Sequence, residues 1–202
     1  MKRVFSSSLI HFVAGMTIAM ALFSPKVARA DFIVTMTQVG SNVIATGSGA
    51  IDLSGLTFAV LAPEGESIYP AGAAVAVGPI IPLFDIYVGT FSGPRNFGTG
   101  GGGVPNSGSG DAVSIVVGLG TLAVAPGYIS NSPLSDSSTY DNATFSSLGA
   151  TPGTYEWTWG SGANQKFVLD IVSVPEPSSF VPIAVILLSW LGLRITRRRT
   201  AH

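Results

Sequence analysis

The side chains that could do chemistry here are few and mostly of one kind. Residues 31–173 hold ten carboxylates: Asp31, Asp52, Glu64, Glu66, Asp85, Asp111, Asp136, Asp141, Glu156 and Asp170. Against them stand two cations, Arg95 and Lys166, a net of −8 where the whole chain reads −1. The chain has no cysteine, and its two histidines, His11 and His202, lie outside that span. Disulfides, thiol catalysis and Cys-ligated metals are thereby excluded. Without imidazole, Ser-His-Asp arrangements and His-ligated zinc or iron go as well. Two carboxylates can run glycoside hydrolysis. Ten acids in one β-domain offer some such pair by chance, however, so no catalytic residue is assigned and the chain is read as a non-enzyme. An acidic body is also a poor partner for nucleic acid, whose phosphates need Lys and Arg to neutralise them.

Oxygen ligands of the kind calcium takes are densest at Asp136, Asp141 and Asn142, with Asp111 in a glycine-rich stretch. Neither EF-hand nor repeat spacing is present, so these read as solvated turn residues, and no metal or cofactor is expected. Tyr155, Trp157 and Trp159 alternate with Glu156 and Thr158, which puts the three rings on one face of a strand. Two uses fit such a row. It can supply the largest pieces of a core, which is the expected use, or it can stack sugar rings as a platform for an exopolysaccharide. Gly98 to Gly110, centred on Gly100-Gly101-Gly102-Gly103, lacks the Gly-Lys-Ser/Thr ending and the following helix of a phosphate loop. It reads as a flexible surface loop. Asn142-Ala143-Thr144 matches the N-glycosylation triplet, which is common by chance.

The elements that must position these residues read as strands. Phe32–Thr37 is rich in β-branched residues, and Gly40-Ser41 turns the chain into a hairpin partner at Val43–Ile51. Further strand runs are expected at Leu56–Leu61, Phe84–Phe91, Ala112–Leu119, Thr121–Ala125, Thr144–Leu148, Thr154–Trp159 and Lys166–Val174. Tyr69–Pro82, with its small residues and prolines, reads as an irregular or edge segment. Ser130–Phe145 reads as polar turn chemistry leading into a strand, and Thr151-Pro152-Gly153 as a turn. No stretch sustains a helical period. Many short strands separated by Gly, Pro and Ser predict a mainly β, antiparallel β-sandwich.

Both flanks of that body carry other patterns. Lys2 and Arg3, the apolar run Leu9–Phe23 and Ala28-Arg29-Ala30 form a secretory signal peptide over 1–30, cut after Ala30 with Ala28 and Ala30 as the small residues of the site. A secretion translocon and a signal peptidase are the implied partners. At the other end, Val174-Pro175-Glu176-Pro177-Ser178 makes an extended hinge, because each proline restricts itself and the residue before it. The segment that follows is apolar on every helical face, which suits a core or a membrane. A helix over about 180–195 would be roughly 24 Å long, short of the roughly 30 Å hydrocarbon core, so it needs local thinning or snorkelling of Arg194. Arg194, Arg197, Arg198 and Arg199 act as the stop and keep that end cytoplasmic, with the body outside.

Hinge, apolar helix and arginine cluster, in that order, resemble the PEP-CTERM sorting signal of Gram-negative bacteria. The resemblance covers about 28 residues, and Thr200-Ala201-His202 trails the pattern. It implies recognition of the Pro-Glu-Pro region by an exosortase-type membrane protease, which removes the helix after transient residence in the inner membrane. Leu148-Gly149, then Thr151-Pro152-Gly153-Thr154-Tyr155-Glu156-Trp157-Thr158-Trp159-Gly160, resembles a recurrent ectodomain type among such proteins. That likeness reaches back to Asp31-Phe32-Ile33-Val34 and implies no activity. The expectation is therefore a signal peptide at 1–30, a β-sandwich ectodomain at 31–173 and a sorting signal at 174–202. The product would be a structural or adhesive protein of the cell surface or extracellular matrix, such as that of a biofilm, with a secreted carbohydrate-binding module as the alternative and a hydrolase after that.

Overall fold

The computed structural model describes residues 31–173, except positions 64, 66 and 81. The expected signal peptide, sorting hinge, membrane helix and arginine cluster lie outside the described residues. Among the described residues no helix is long and apolar enough to cross a membrane.

Among the described residues twelve strands form two six-stranded sheets. In chain order they are β1 (Phe32–Val39), β2 (Asn42–Ala50), β3 (Thr57–Pro63), β4 (Ile68–Tyr69), β5 (Ala74–Val77) and β6 (Leu83–Val88). Then come β7 (Ser107–Gly110), β8 (Val113–Val116), β9 (Thr121–Val124), β10 (Pro133–Tyr140), β11 (Gly153–Thr158) and β12 (Lys166–Val172). The first sheet runs β11-β12-β1-β2-β10-β7 and the second β3-β6-β9-β8-β5-β4. One apolar cluster joins them: Phe32, Val34 and Met36 of β1 and Phe167, Leu169 and Ile171 of β12 meet Val75, Ile115, Leu122 and Val124 of the second sheet. Every second residue of β1 and β12 points inward, as the pleat requires. Each such side chain contributes about 1.5–3 kcal/mol on burial.

The β1–β2 hairpin turns on Gly40-Ser41, with Gly40 at φ 60 as the first residue of a two-residue loop. That geometry matches the twist of the strands it joins. The sandwich is antiparallel at every pair but one. β1 runs parallel to β12, setting Phe32 beside Phe167, Val34 beside Leu169 and Met36 beside Ile171. This parallel pair corrects the purely antiparallel expectation, and it locks the first strand of the body to the last.

Three local expectations are also corrected. Thr144–Leu148 is not a strand. Phe145–Leu148 is a single helical turn, α1, whose Thr144 Oγ1 accepts from the Ser147 N–H at 3.0 Å while Ser147 Oγ accepts from the Thr144 N–H at 2.8 Å. This reciprocal box satisfies two amides that would otherwise lack partners. Pro133–Tyr140, read as turn chemistry, is an eight-residue strand paired to both β2 and β7. Ala74–Val77, inside the supposedly irregular stretch, lies within the second sheet between β4 and β8.

The glycine-rich loop is pinned rather than loose. The Thr99 and Gly100 amides donate to the Gly149 carbonyl, Gly102 N–H donates to Leu148 O, and Gly103 exchanges two hydrogen bonds with Ile68. A side chain at Gly102, held at φ +74, would strike the Ile68 carbonyl, so here glycine serves close backbone approach. Its last four residues form β7 at the edge of the first sheet.

Candidate functional site

Tyr155 and Trp157 do share one face of β11, which Trp159 continues just past its end, but that face looks into the sandwich. Trp157 is fully buried and Trp159 nearly so, and Tyr155 is half-buried. Phe97 packs against Tyr155 and Trp157 with ring centroids 5.8 and 6.2 Å away, and Phe167 closes the other side of Trp157 at 6.1 Å. The polar ends of the rings are committed as well. Trp157 Nε1–H donates to Pro94 O at 2.7 Å, Trp159 Nε1–H to Asp52 O at 2.8 Å, and Tyr155 O–H to Thr151 O at 3.0 Å. The sugar-platform reading of these three residues is thus corrected: with both indoles buried, the row offers no open aromatic face along which a sugar could stack. Gly93, at φ +150, lets residues 92–94 cross β11 closely enough to seal it, since a side chain there would meet Glu156 O and the Trp157 ring.

The acidic residues singled out for calcium are not brought together. Asp141 lies past the end of β10, where its Oδ1 accepts from Asn42 Nδ2 at 3.1 Å while Asn142 N–H donates to Asn42 Oδ1. Asp111 Oδ2 accepts from Ser135 N–H at 2.8 Å and so ties the β7–β8 connection to β10. Asp136 points the opposite way, into the sandwich. Among the described residues no group of three His, Cys, Asp or Glu side chains is placed to hold a metal ion. Asp31 and Glu156 do approach one another's neighbourhood, but Lys166 Nζ lies between them at 3.4 and 3.6 Å. Asp31 first and Glu156 second raise the Lys166 ammonium above its ordinary value.

Asp136 is the residue whose environment is unusual. It is 6 % exposed, and neither carboxyl oxygen has a hydrogen-bond partner among the described residues. Both of its cross-strand neighbours are glycines, Gly47 on β2 and Gly110 on β7. A side chain at Gly47 would occupy the space now filled by the Asp136 carboxyl and the Phe32 ring. Burial therefore pushes the carboxyl up to about 7, with the nearby Gly47 backbone opposing this and the Asp111 charge adding to it. A carboxylate so placed loses its hydration and the Gly47 backbone offsets this only in part, so the carboxyl holds its proton to a higher pH than an exposed one does. Two residues along, Ser138 shows how an inward polar group on this strand is normally satisfied. Its fully buried hydroxyl accepts from Gly78 N–H at 3.0 Å, linking the first sheet to the second.

Asp52 is the contrast. Its carboxylate accepts from Ser54 N–H at 2.9 Å and from Ser130 Oγ at 3.2 Å. The Ser54 backbone chiefly holds it below the usual carboxylate range, against the effect of burial and with the Ser54, Ser130 and Asn131 side chains helping. The same corner is fixed by Tyr128, whose hydroxyl accepts from Ile51 N–H at 3.0 Å and lies 2.8 Å from the Ser132 carbonyl. Asp52 and Tyr128 thus clamp loops rather than present a reactive group. A shallow depression on the second sheet, lined by Gly65, Ser67, Ala74, Ala76, Ser114 and Val116, offers two serine hydroxyls as its polar side chains among the described residues.

Of the flagged residues that are described, the structure unites only the aromatic row, and it does so as core. Sequence reasoning did not separate Asp136 from the other acids; the signal was there in period-two spacing with Leu134, Ser138 and Tyr140, all of which are buried. No family model, no curated protein and no solved structure matches the chain.

Proposed function

We propose that this chain is an exported structural or adhesive protein of the cell surface or extracellular matrix, delivered through its C-terminal segment. The observation that carries the reading is the order Val174-Pro175-Glu176-Pro177-Ser178, apolar segment, then Arg194, Arg197, Arg198 and Arg199. With the signal peptide cut after Ala30, it describes a body carried across the inner membrane and held there with the arginines cytoplasmic. An exosortase-type protease then releases the body at the hinge. What supports a structural rather than a chemical role is a body built around a continuous core with its largest rings inside it. Its acidic surface keeps such a body soluble and apart from anionic polymers during transit.

The test is a triple substitution, Pro175→Ala, Glu176→Ala and Pro177→Ala, followed in the producing cell. The proposal expects the body to move from the surface and medium into the membrane fraction. Unchanged release would overturn it.

A further inference from the structure

Each sheet edge is a row of unpaired backbone donors and acceptors that can recruit another strand, and proteins normally blunt such edges. Three of the four edges here are blunted. β4 is two residues long and is bridged by Gly103. β7 is a four-residue Ser-Gly-Ser-Gly strand followed by Asp111. β11 carries Glu156 and is bridged at Thr158 by Ser92.

β3 is the exception. It is seven residues long, uncharged and apolar through Phe58-Ala59-Val60-Leu61-Ala62, with Val60 49 % and Leu61 50 % exposed. On one side it pairs with β6; among the described residues its other side pairs with nothing. A bulge after Phe58 and the proline at 63 bracket Val60–Ala62 as the regular part of the edge.

We infer that β3 pairs antiparallel with β3 of a second copy, joining the two second sheets across a two-fold axis. Three observations favour a second copy as the occupant. First, a two-fold perpendicular to a continuous sheet must keep each face on its own side, so residues opposite one another must share a face. Centring on Leu61 does this: Leu61 faces Leu61, and Val60 faces Ala62, a branched side chain beside a small one. Second, Val60 and Ala62 share their face with Ile86 and Phe84, and Ala62 already packs on the buried cluster of Phe84, Ile86, Ala112 and Ala123. The partner's Val60 and Ala62 would extend that cluster across the axis. Third, two bodies of net charge −8 repel one another, and β3 is an edge at which they can meet without opposing carboxylates.

The absence of cysteine makes this directly readable by cross-linking in the full-length chain. Directly opposed residues of an antiparallel pair have Cβ atoms about 4.5–5.5 Å apart, close to what a disulfide spans. Leu61→Cys should therefore form a cross-linked dimer under mild oxidation, and Leu119→Cys, at a site 77 % exposed and away from β3, serves as the control. A paired thiol meets its partner at an effective concentration of about 1 mM, so at ~10 µM protein the Leu61→Cys cross-link should form on the order of a hundredfold faster. Adding Val60→Lys should abolish that advantage. If position 61 does not tolerate cysteine, Val60→Cys with Ala62→Cys reads the same register. Cross-linking no faster than at position 119, or unaffected by Val60→Lys, would overturn the inference.

Discussion

Replacing Asp136 by Asn should flatten the pH dependence of stability across the neutral range. The folded-state carboxyl titrates at about 7 against a reference of 3.8. The sign follows from linkage: a raised acid binds its proton more tightly in the folded state, so stability is lost as pH rises. The contribution is fully present below 3.8, falls between 3.8 and about 7, and is gone above that. At 1.36 kcal/mol per unit, the roughly three-unit gap corresponds to about 4 kcal/mol, or up to about 1.4 kcal/mol for each pH unit on the slope. Asn keeps the shape and removes the ionisation, so its curve should lack this slope while keeping that of Asp52. The assay is urea unfolding of residues 31–173, which contain the whole described core, followed by the emission of buried Trp157 and Trp159 at pH 4.5 to 8. Above about pH 7 the two proteins should run parallel, and from pH 4.5 to about 7 they should diverge, the variant gaining on the wild type. Parallel curves over that range would refute the argument that Asp136 is desolvated without a partner.

Two further outcomes follow from the packing. Trp157→Ala should cost about 3–5 kcal/mol, the range for removing a large buried ring, and should also free the Pro94 carbonyl from its donor. Urea unfolding measures it, and a loss below about 1 kcal/mol would mean the ring is not core. Gly102→Ala should destabilise by about 1–3 kcal/mol, because the residue combines a left-handed φ with a blocked Cβ position facing the Ile68 carbonyl. Hydrogen exchange at the Gly103 and Ile68 amides should accelerate in that variant, since both belong to the bridge beside it.

How much of this was legible in the chain depends on whether a signal was local. β1 and β2 announce themselves through alternating branched residues and a glycine turn, and the structure places them where that pattern does. β12 is likewise visible in Phe167, Leu169 and Ile171. β10 was hidden because its inward positions include Asp136 and Ser138, polar residues that look like turn chemistry until their cross-strand glycines and the Gly78 amide are known. α1 could have been found from Thr144 and Ser147, three residues apart before a glycine, but Ser is a weaker marker than Glu or Gln at that position. The parallel pairing of β1 with β12 joins residues far apart in the chain, and no local pattern encodes it. For the aromatic row, period-two spacing gave the shared face but could not say whether that face looked inward. The segment 92–94 and Phe97, which cover it, arrive from elsewhere in the chain.

The most direct test of the whole account is the intact mass of the protein recovered separately from membranes, cell surface and medium. The account predicts a membrane species beginning at Asp31 with its arginine cluster attached, and a released species beginning at Asp31 and ending in or near Val174–Ser178. A surface or medium species retaining residues through His202, or a cytoplasmic one still carrying Met1–Ala30, would contradict it.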